Sequence, residues 1–231
     1  MRSRSIVAVV ALALAWPLAA AGAQDTRPGI AVLPFHNGGS YGQDKENFDA
    51  LEKGIAGMLI SELAANASAR VVERDQIQRL LEEQRLSASG QVDPQTAARI
   101  GKLVGARYVI TGQFIDFYGD FRLDARIVSV ETSQILAVVK EQMRRDHLFD
   151  IIRNASQRLM REAQLPALPK PVQDERGSRQ IPTEALTYYS RALLYQDRGQ
   201  KDKAIEMYER AVAVFPQYSE ASEGLQRLRS S

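Results

Sequence analysis

The sequence of 231 residues has no cysteine. That absence excludes disulfides, thiol catalysis, thiolate metal sites and the lipidated cysteine of a bacterial lipoprotein. Histidine is nearly absent too, with only His36 and His147. No G-x-S-x-G, Walker A or G-x-G-x-x-G pattern occurs. An excess of either charge is also missing: 30 Lys+Arg against 28 Asp+Glu gives a formal charge of +2. A nucleic-acid binder normally carries a basic stripe to displace counterions, so this near-neutrality argues against that class. Long apolar runs are absent beyond residue 23.

The one long apolar run is at the start. Arg2 and Arg4 precede an apolar stretch from Ile6 to Leu18, and Ala21-Gly22-Ala23 offers the small-x-small pattern of a cleavage site. We expect residues 1–23 to be a signal peptide and Gln24 to begin the mature, periplasmic chain. An uncleaved anchor is the alternative, because Ile6 to Ala23 just reaches across a bilayer. Removal of Arg2 and Arg4 leaves a mature side-chain charge of zero.

Apolar periodicity outlines the rest. Ile30 to Phe35 (IAVLPF) reads as a buried strand, closed by Pro34 and a glycine-containing loop from His36 to Ser40. Phe48, Leu51, Ile55, Met58, Leu59 and Leu63 mark an amphipathic helix over Glu46 to Ala67. Ala69 to Val72 is a second short strand. Asp75 is positioned to cap a helix whose stripe is Ile77, Leu80, Leu81 and Leu86, with Ser89-Gly90 as its breaker. Asp93-Pro94 starts another helix, with Ala97, Ala98, Ile100 and Leu103 inward and Gly105 as its stop.

Strands are expected at Arg107 to Phe117, Phe121 to Val130 and Ile135 to Met143, the first two joined by a hairpin at Tyr118-Gly119-Asp120. Phe121, Leu123, Ala125 and Ile127 alternate with Arg122, Asp124 and Arg126, which predicts one dry and one wet face. His147 to Leu165 is helical again. Residues 165–182 hold Pro166, Pro169, Pro171 and Pro182 and read as a semi-rigid linker without helix or sheet. The period beyond it is helical, over residues 183–231.

No catalytic or metal-ligating residue is assigned, and no cofactor. His147 beside Asp146 and Asp150 reads as a solvated helix cap. Glu73, Glu82 and Glu83 read as a solvated face, and Asn37 to Gly42 as a flexible loop.

Two resemblances carry the functional expectation. Tyr188, Ala192, Tyr195, Gly199, Ala204, Tyr208, Ala211 and Pro216, in register from Ala185, resemble the tetratricopeptide repeat (TPR). Small alanines let two antiparallel helices approach, and Gly199 permits the turn. Arg191 departs from the pattern, which prefers leucine there, and tyrosine replaces tryptophan at 188. An ordinary helical hairpin is the alternative. Ser219 to Leu228 would be a third, capping helix. The resemblance implies that Leu186, Tyr189, Leu193, Gln196 and Asp197 line a peptide-binding concavity. The alternative is that they pack on the protein's own first domain, because a single repeat cannot bury its own face.

The second resemblance covers residues 28–164. IAVLPF, VVERDQIQRLLEEQRLSASG, AARIGKLVGARYVITGQF and RLDARIVSVETSQIL resemble the curli secretion channel (CsgG) family and related TolB N-terminal periplasmic domains. This implies an α+β fold: a small mixed-sheet α/β sandwich followed by the helical module. It also implies an envelope location and protein partners, with a homo-oligomer left open. Channel members carry long membrane hairpins, whereas only Ile115 to Asp120 separates two strands here. We therefore expect a non-enzymatic periplasmic assembly or scaffold protein that works by protein–protein binding, without nucleic acid or a small-molecule substrate. A subunit of an outer-membrane secretion channel is the alternative, and an enzyme with an unfamiliar site is a third.

Overall fold

The structure is a computed structural model that describes residues 25–83 and 92–230. The expected signal peptide, and Leu86, Ser89 and Gly90 of the second helix and its breaker, lie outside the described residues.

A mixed sheet forms the centre. β1 (Gly29–Val32) is flanked by parallel β3 (Arg70–Val71) and β4 (Tyr108–Phe117), and β5 (Asp120–Ser129) and β6 (Ile135–Arg144) continue antiparallel, in the order β3-β1-β4-β5-β6. β2 (His36–Asn37) pairs with β4 further along the same edge. Leu33-Pro34-Phe35 separates it from β1, since proline cannot donate to the ladder. The β4–β5 hairpin closes through Tyr118 and Gly119, with φ of 52° and 92°. Two consecutive positive φ values are those of the two-residue turn that matches strand twist.

Helices cover one face of the sheet fully and the other in part. α1 (Lys45–Ala64), capped by Asp44, and α4 (Leu148–Glu162) pack on Ile30, Val32, Ile110, Phe114, Phe121, Leu123 and Ile127. α2 (Arg74–Glu83) and α3 (Pro94–Leu103) cover Ala31, Leu33, Val109 and Val128 on the other side. The wet face of β5 is therefore partly dry: Asp124 is buried and accepts a hydrogen bond from Arg122 Nε at 2.9 Å. Asp93 caps α3 as expected, accepting from the N–H groups of Gln95 and Thr96. Two local expectations change. Leu103 is 56% exposed, because it sits on the side of α3 turned away from the sheet. Asp75 lies inside the first turn of α2 rather than before it, where its charge still suits the helix N-terminus.

The proline-rich stretch contains a helix, α5 (Lys170–Ser178). Pro171 falls in its first turn, where a missing N–H group costs nothing, so the prolines start the helix instead of preventing it. Ile181 is buried and Leu165 and Leu168 pack against the core. α5 is pinned at its end: Arg176 and Arg179 reach Glu62 of α1 at 3.1 and 3.4 Å, and Arg179 reaches Glu220 at 2.6 Å.

α6 (Thr183–Asp197) and α7 (Lys201–Val214) form the antiparallel hairpin, and α8 (Ser219–Ser230) follows. Gly199 takes φ 67° where α6 ends, the left-handed position that terminates helices without a Cβ penalty. Ala192, Ala204, Tyr208 and Ala211 are fully buried, whereas Tyr188 is half-buried and Tyr195 borders the core. Pro216 is exposed just past α7, where it blocks continuation. Among the described residues no helix is long and apolar enough to cross a membrane.

Candidate protein-binding groove

The concave side of the hairpin is occupied by the protein itself. α6 lies along α1, and two glycines permit the approach. A Cβ on Gly54 would stand 1.8 Å from Ser190 Oγ and 3.2 Å from Ser190 Cα. One on Gly57 would stand 2.9 Å from the Tyr189 hydroxyl and 3.0 Å from Leu193 Cδ1. Helix-interior glycine normally costs about 1 kcal/mol relative to alanine, so close packing is the physical reason for these two. The Tyr218 ring fills the space beside them, 5.2 Å from the Tyr189 ring, with its hydroxyl 3.1 Å from Met58 Sδ. Burial pushes the Tyr189 and Tyr218 hydroxyls upward in pKa, and that of Tyr208 to about 12.

The five expected partner-binding residues separate accordingly. Leu186 is wholly in the core. Gln196 accepts a hydrogen bond from the Tyr208 hydroxyl at 3.0 Å. Asp197 closes an ionic bridge to the first domain, with Arg74 of α2 at 2.8 Å and Lys53 of α1 at 3.6 Å. Burial alone would lower the Arg74 pKa, but Asp197 outweighs it and holds the guanidinium above its usual value. Arg191, the departure from the repeat pattern, bonds Glu46 of α1 at 2.7 Å. That hydrogen bond, against a smaller effect of burial, holds the Glu46 carboxyl below its usual range.

Tyr189 and Leu193 are largely buried but reach a surface groove with one edge. They form the floor of a groove of about 500 Å³ together with Gly57 and Ile60 of α1. Its walls are charged with both signs and come from three other places: Arg74, Asp75 and Arg79 from α2 with Glu73 just before it, Arg176 from α5, and Glu220, Glu223 and Arg227 from α8. Neither Arg79 nor Arg227 has an ion-pair partner among the described residues. The repeat pattern pointed to Tyr189 and Leu193. Ile60, Arg79 and Arg227 carried no local signal, because three separate elements bring them together.

No group of three or more potential metal ligands occurs among the described residues. His147 is exposed, with Nδ1 3.3 Å from Asp150 Oδ2 on the next helical turn. His36 Nδ1 lies 4.0 Å from Glu52 Oε1, and burial raises the Glu52 pKa.

Comparison with known proteins places these features. Residues 12–121, just under half of the chain, match the family model of the curli production assembly/transport component CsgG. Residues 185–218 match the tetratricopeptide repeat. No curated protein matches the sequence. Among solved structures, the LpoB C-terminal domain from Salmonella enterica aligns at 21% identity, covering 51% of this chain and 83% of that one, with a TM-score of 0.36. TolB from Acinetobacter baumannii aligns at 17% identity over 70% of this chain and 31% of its own, with a TM-score of 0.37. The PelC dodecamer from Paraburkholderia phytofirmans aligns at 9% identity over 62% and 91%, with a TM-score of 0.34. The chain thus joins a segment similar to CsgG to a stretch that matches the tetratricopeptide repeat, and the two pack together through α1 and α6.

Proposed function

We propose that the protein is a non-enzymatic scaffold of the bacterial cell envelope that holds a partner protein in the groove between α1, α2, α6 and α8. The CsgG and tetratricopeptide matches support an envelope protein with a protein-binding repeat. The observation that carries the groove is its composition: an apolar floor of Ile60, Tyr189 and Leu193 below two guanidinium groups, Arg79 and Arg227, that have no ion pair among the described residues. That pattern suits an extended segment with one apolar anchor and flanking acids, since buried apolar anchors supply affinity and rim charges supply register. The fused hairpin gives the groove rigid walls, which lowers the entropic cost of binding.

Ile60→Glu places a carboxylate on the floor at a partly buried position. Co-purification of cross-linked envelope proteins should fall by about tenfold or more, the effect of roughly 1.4 kcal/mol, with the thermal midpoint little changed. Equal recovery with Ile60→Glu would remove the groove from the mechanism. Turnover of any substrate by the purified protein would overturn the non-enzymatic reading.

A further inference from the structure

Far from the groove, the β4–β5 turn and the loop after β2 meet at one apex. Three aromatic side chains crown it: Tyr41 and Phe117 are each 60% exposed, and Tyr118 is 67% exposed. The rings form one cluster. Phe117 stands edge-on to Tyr41 at 6.1 Å and to Tyr118 at 5.1 Å between centroids. Such rings are expensive to leave in water, and clusters of this kind mark contact sites.

Most of the backbone N–H groups beneath are paired within the protein. Gly38 N donates to Phe114 O, Gly39 N and Ser40 N to Asn37 Oδ1, and Tyr41 N to Asp116 O. Tyr118 N donates to Tyr41 O, and Gly119 N to Asp116 Oδ1 at 2.7 Å. Asp116 is wholly buried, and its other oxygen accepts from Arg145. Residues 38–43 and 117–119 carry no formal charge. The charges next to the turn, Asp120 and Arg144, oppose each other across β5 and β6 and cancel.

We infer that Tyr41, Phe117 and Tyr118 form a docking apex that seats in the interfacial layer of a phospholipid bilayer. Three features select lipid over protein. Three rings of about 200 Å² each, roughly two-thirds exposed, offer only about 400 Å², whereas a stable protein interface buries about 800 Å² per partner. N–H groups already paired within the protein ease entry into a water-poor layer, where an unpaired one costs several kcal/mol. Two tyrosines with a phenylalanine place hydroxyls at headgroup level above apolar rings, the arrangement favoured at membrane–water interfaces. A depth of about 5–10 Å suffices, so no spanning element is involved. The inference stands whether or not the groove holds a partner.

The chain has a single tryptophan, Trp16, so Trp16→Phe with Phe117→Trp makes the apex the only indole. The probe is vesicles of phosphatidylethanolamine with a minority of phosphatidylglycerol, some with brominated acyl chains. We expect the vesicles to shield the indole from iodide severalfold and the brominated lipid to quench it, at high salt as well as low. Tyr41→Ser with Tyr118→Ser in the same background should restore iodide access. These readouts report on the apex itself, so attachment through another part of the chain cannot imitate them. An indole that stays open to iodide and unquenched by bromine overturns the inference and leaves the apex as a knob for a protein. Shielding that vanishes at high salt overturns it as well, because an apex without net charge has nothing for salt to screen.

Discussion

α1 and α4 lie side by side on the same face of the sheet, yet they are buried differently. α4 is dry along one stripe, Leu148, Ile151, Ile152, Ala155 and Leu159. Its other side carries Arg153 and Arg158, paired with Asp150 and Glu141 at 2.7 and 2.8 Å. α1 is dry nearly all round. Leu59 and Leu63 lie on one side, Gly54 and Gly57 on the other, and Met58 beneath the Tyr218 hydroxyl. One helix roofs a core; the other is a wall shared by two cores. A lone tetratricopeptide-type hairpin has no neighbouring repeat to cover it. Here a helix of the α/β unit takes that neighbour's place, and the smallest side chains sit where the two backbones come closest.

Inserting the same bulk on the outer side of each helix tests this contrast most severely. Gly54→Leu drives a side chain into the Ser190 backbone. Overpacking against main chain should cost about 3 kcal/mol or more. Gln157→Leu on exposed α4 should stay within about 0.5 kcal/mol. The thermal midpoint reads both, and proteolysis within residues 165–182 reports whether the hairpin has swung away. Equal effects would mean that α6 rests loosely on α1.

The difference between the helices also decides what was legible in the sequence. The dry face of β5, the β4–β5 turn, the Asp93 cap and the repeat register all follow from local patterns, and residues 185–218 are the stretch that the repeat model matches. The stripe Phe48, Leu51, Ile55, Met58, Leu59 and Leu63 correctly gave α1 a dry side. It hid the second one, which is written in Ala50, Gly54 and Gly57, residues that a periodicity of large apolar side chains passes over. α5 escaped because proline was read as a breaker where it serves as a first-turn residue. The groove walls and the aromatic apex were illegible for another reason. Arg79, Arg227, Tyr41 and Phe117 gain meaning only when the sheet and the shared helix bring distant segments together.

A smaller effect is expected from the ionic bridge across the same boundary. Asp197→Ala leaves Arg74 and Lys53 facing each other, both largely buried, with their common counter-charge gone. Breaking a buried pair from one side costs about 3–5 kcal/mol, and the loss here is at or below the low end because Arg74 keeps Asp75 at 3.1 Å. Combined with Arg74→Met the loss should shrink, since the unpaired cation accounts for much of it. A double-mutant cycle by chemical denaturation measures the coupling, and a coupling near zero would make the bridge incidental.

The smallest effect separates two carboxylates that share the arginines of α5. Burial raises the Glu62 pKa above the usual 4.5, and Arg176 and Arg179 offset this only in part. Burial also pushes Glu220 upward, but hydrogen bonds from Arg179 and Ser61 prevail and hold it below 4.5. The signs therefore oppose. Glu62 binds its proton more tightly when folded, so its contribution to stability falls as pH rises through its raised value. Glu220 binds its proton less tightly when folded, so its contribution is present above 4.5 and lost as pH falls through its lowered value. Against Glu62→Gln, the wild-type midpoint should decline from acid to neutral pH. Against Glu220→Gln it should rise with pH through the region below 4.5 and then level off. Parallel profiles for the two variants would show that α5 is held by packing of Ile181 and Leu168 alone, and that the wall shared by the two cores needs no charge to keep its latch closed.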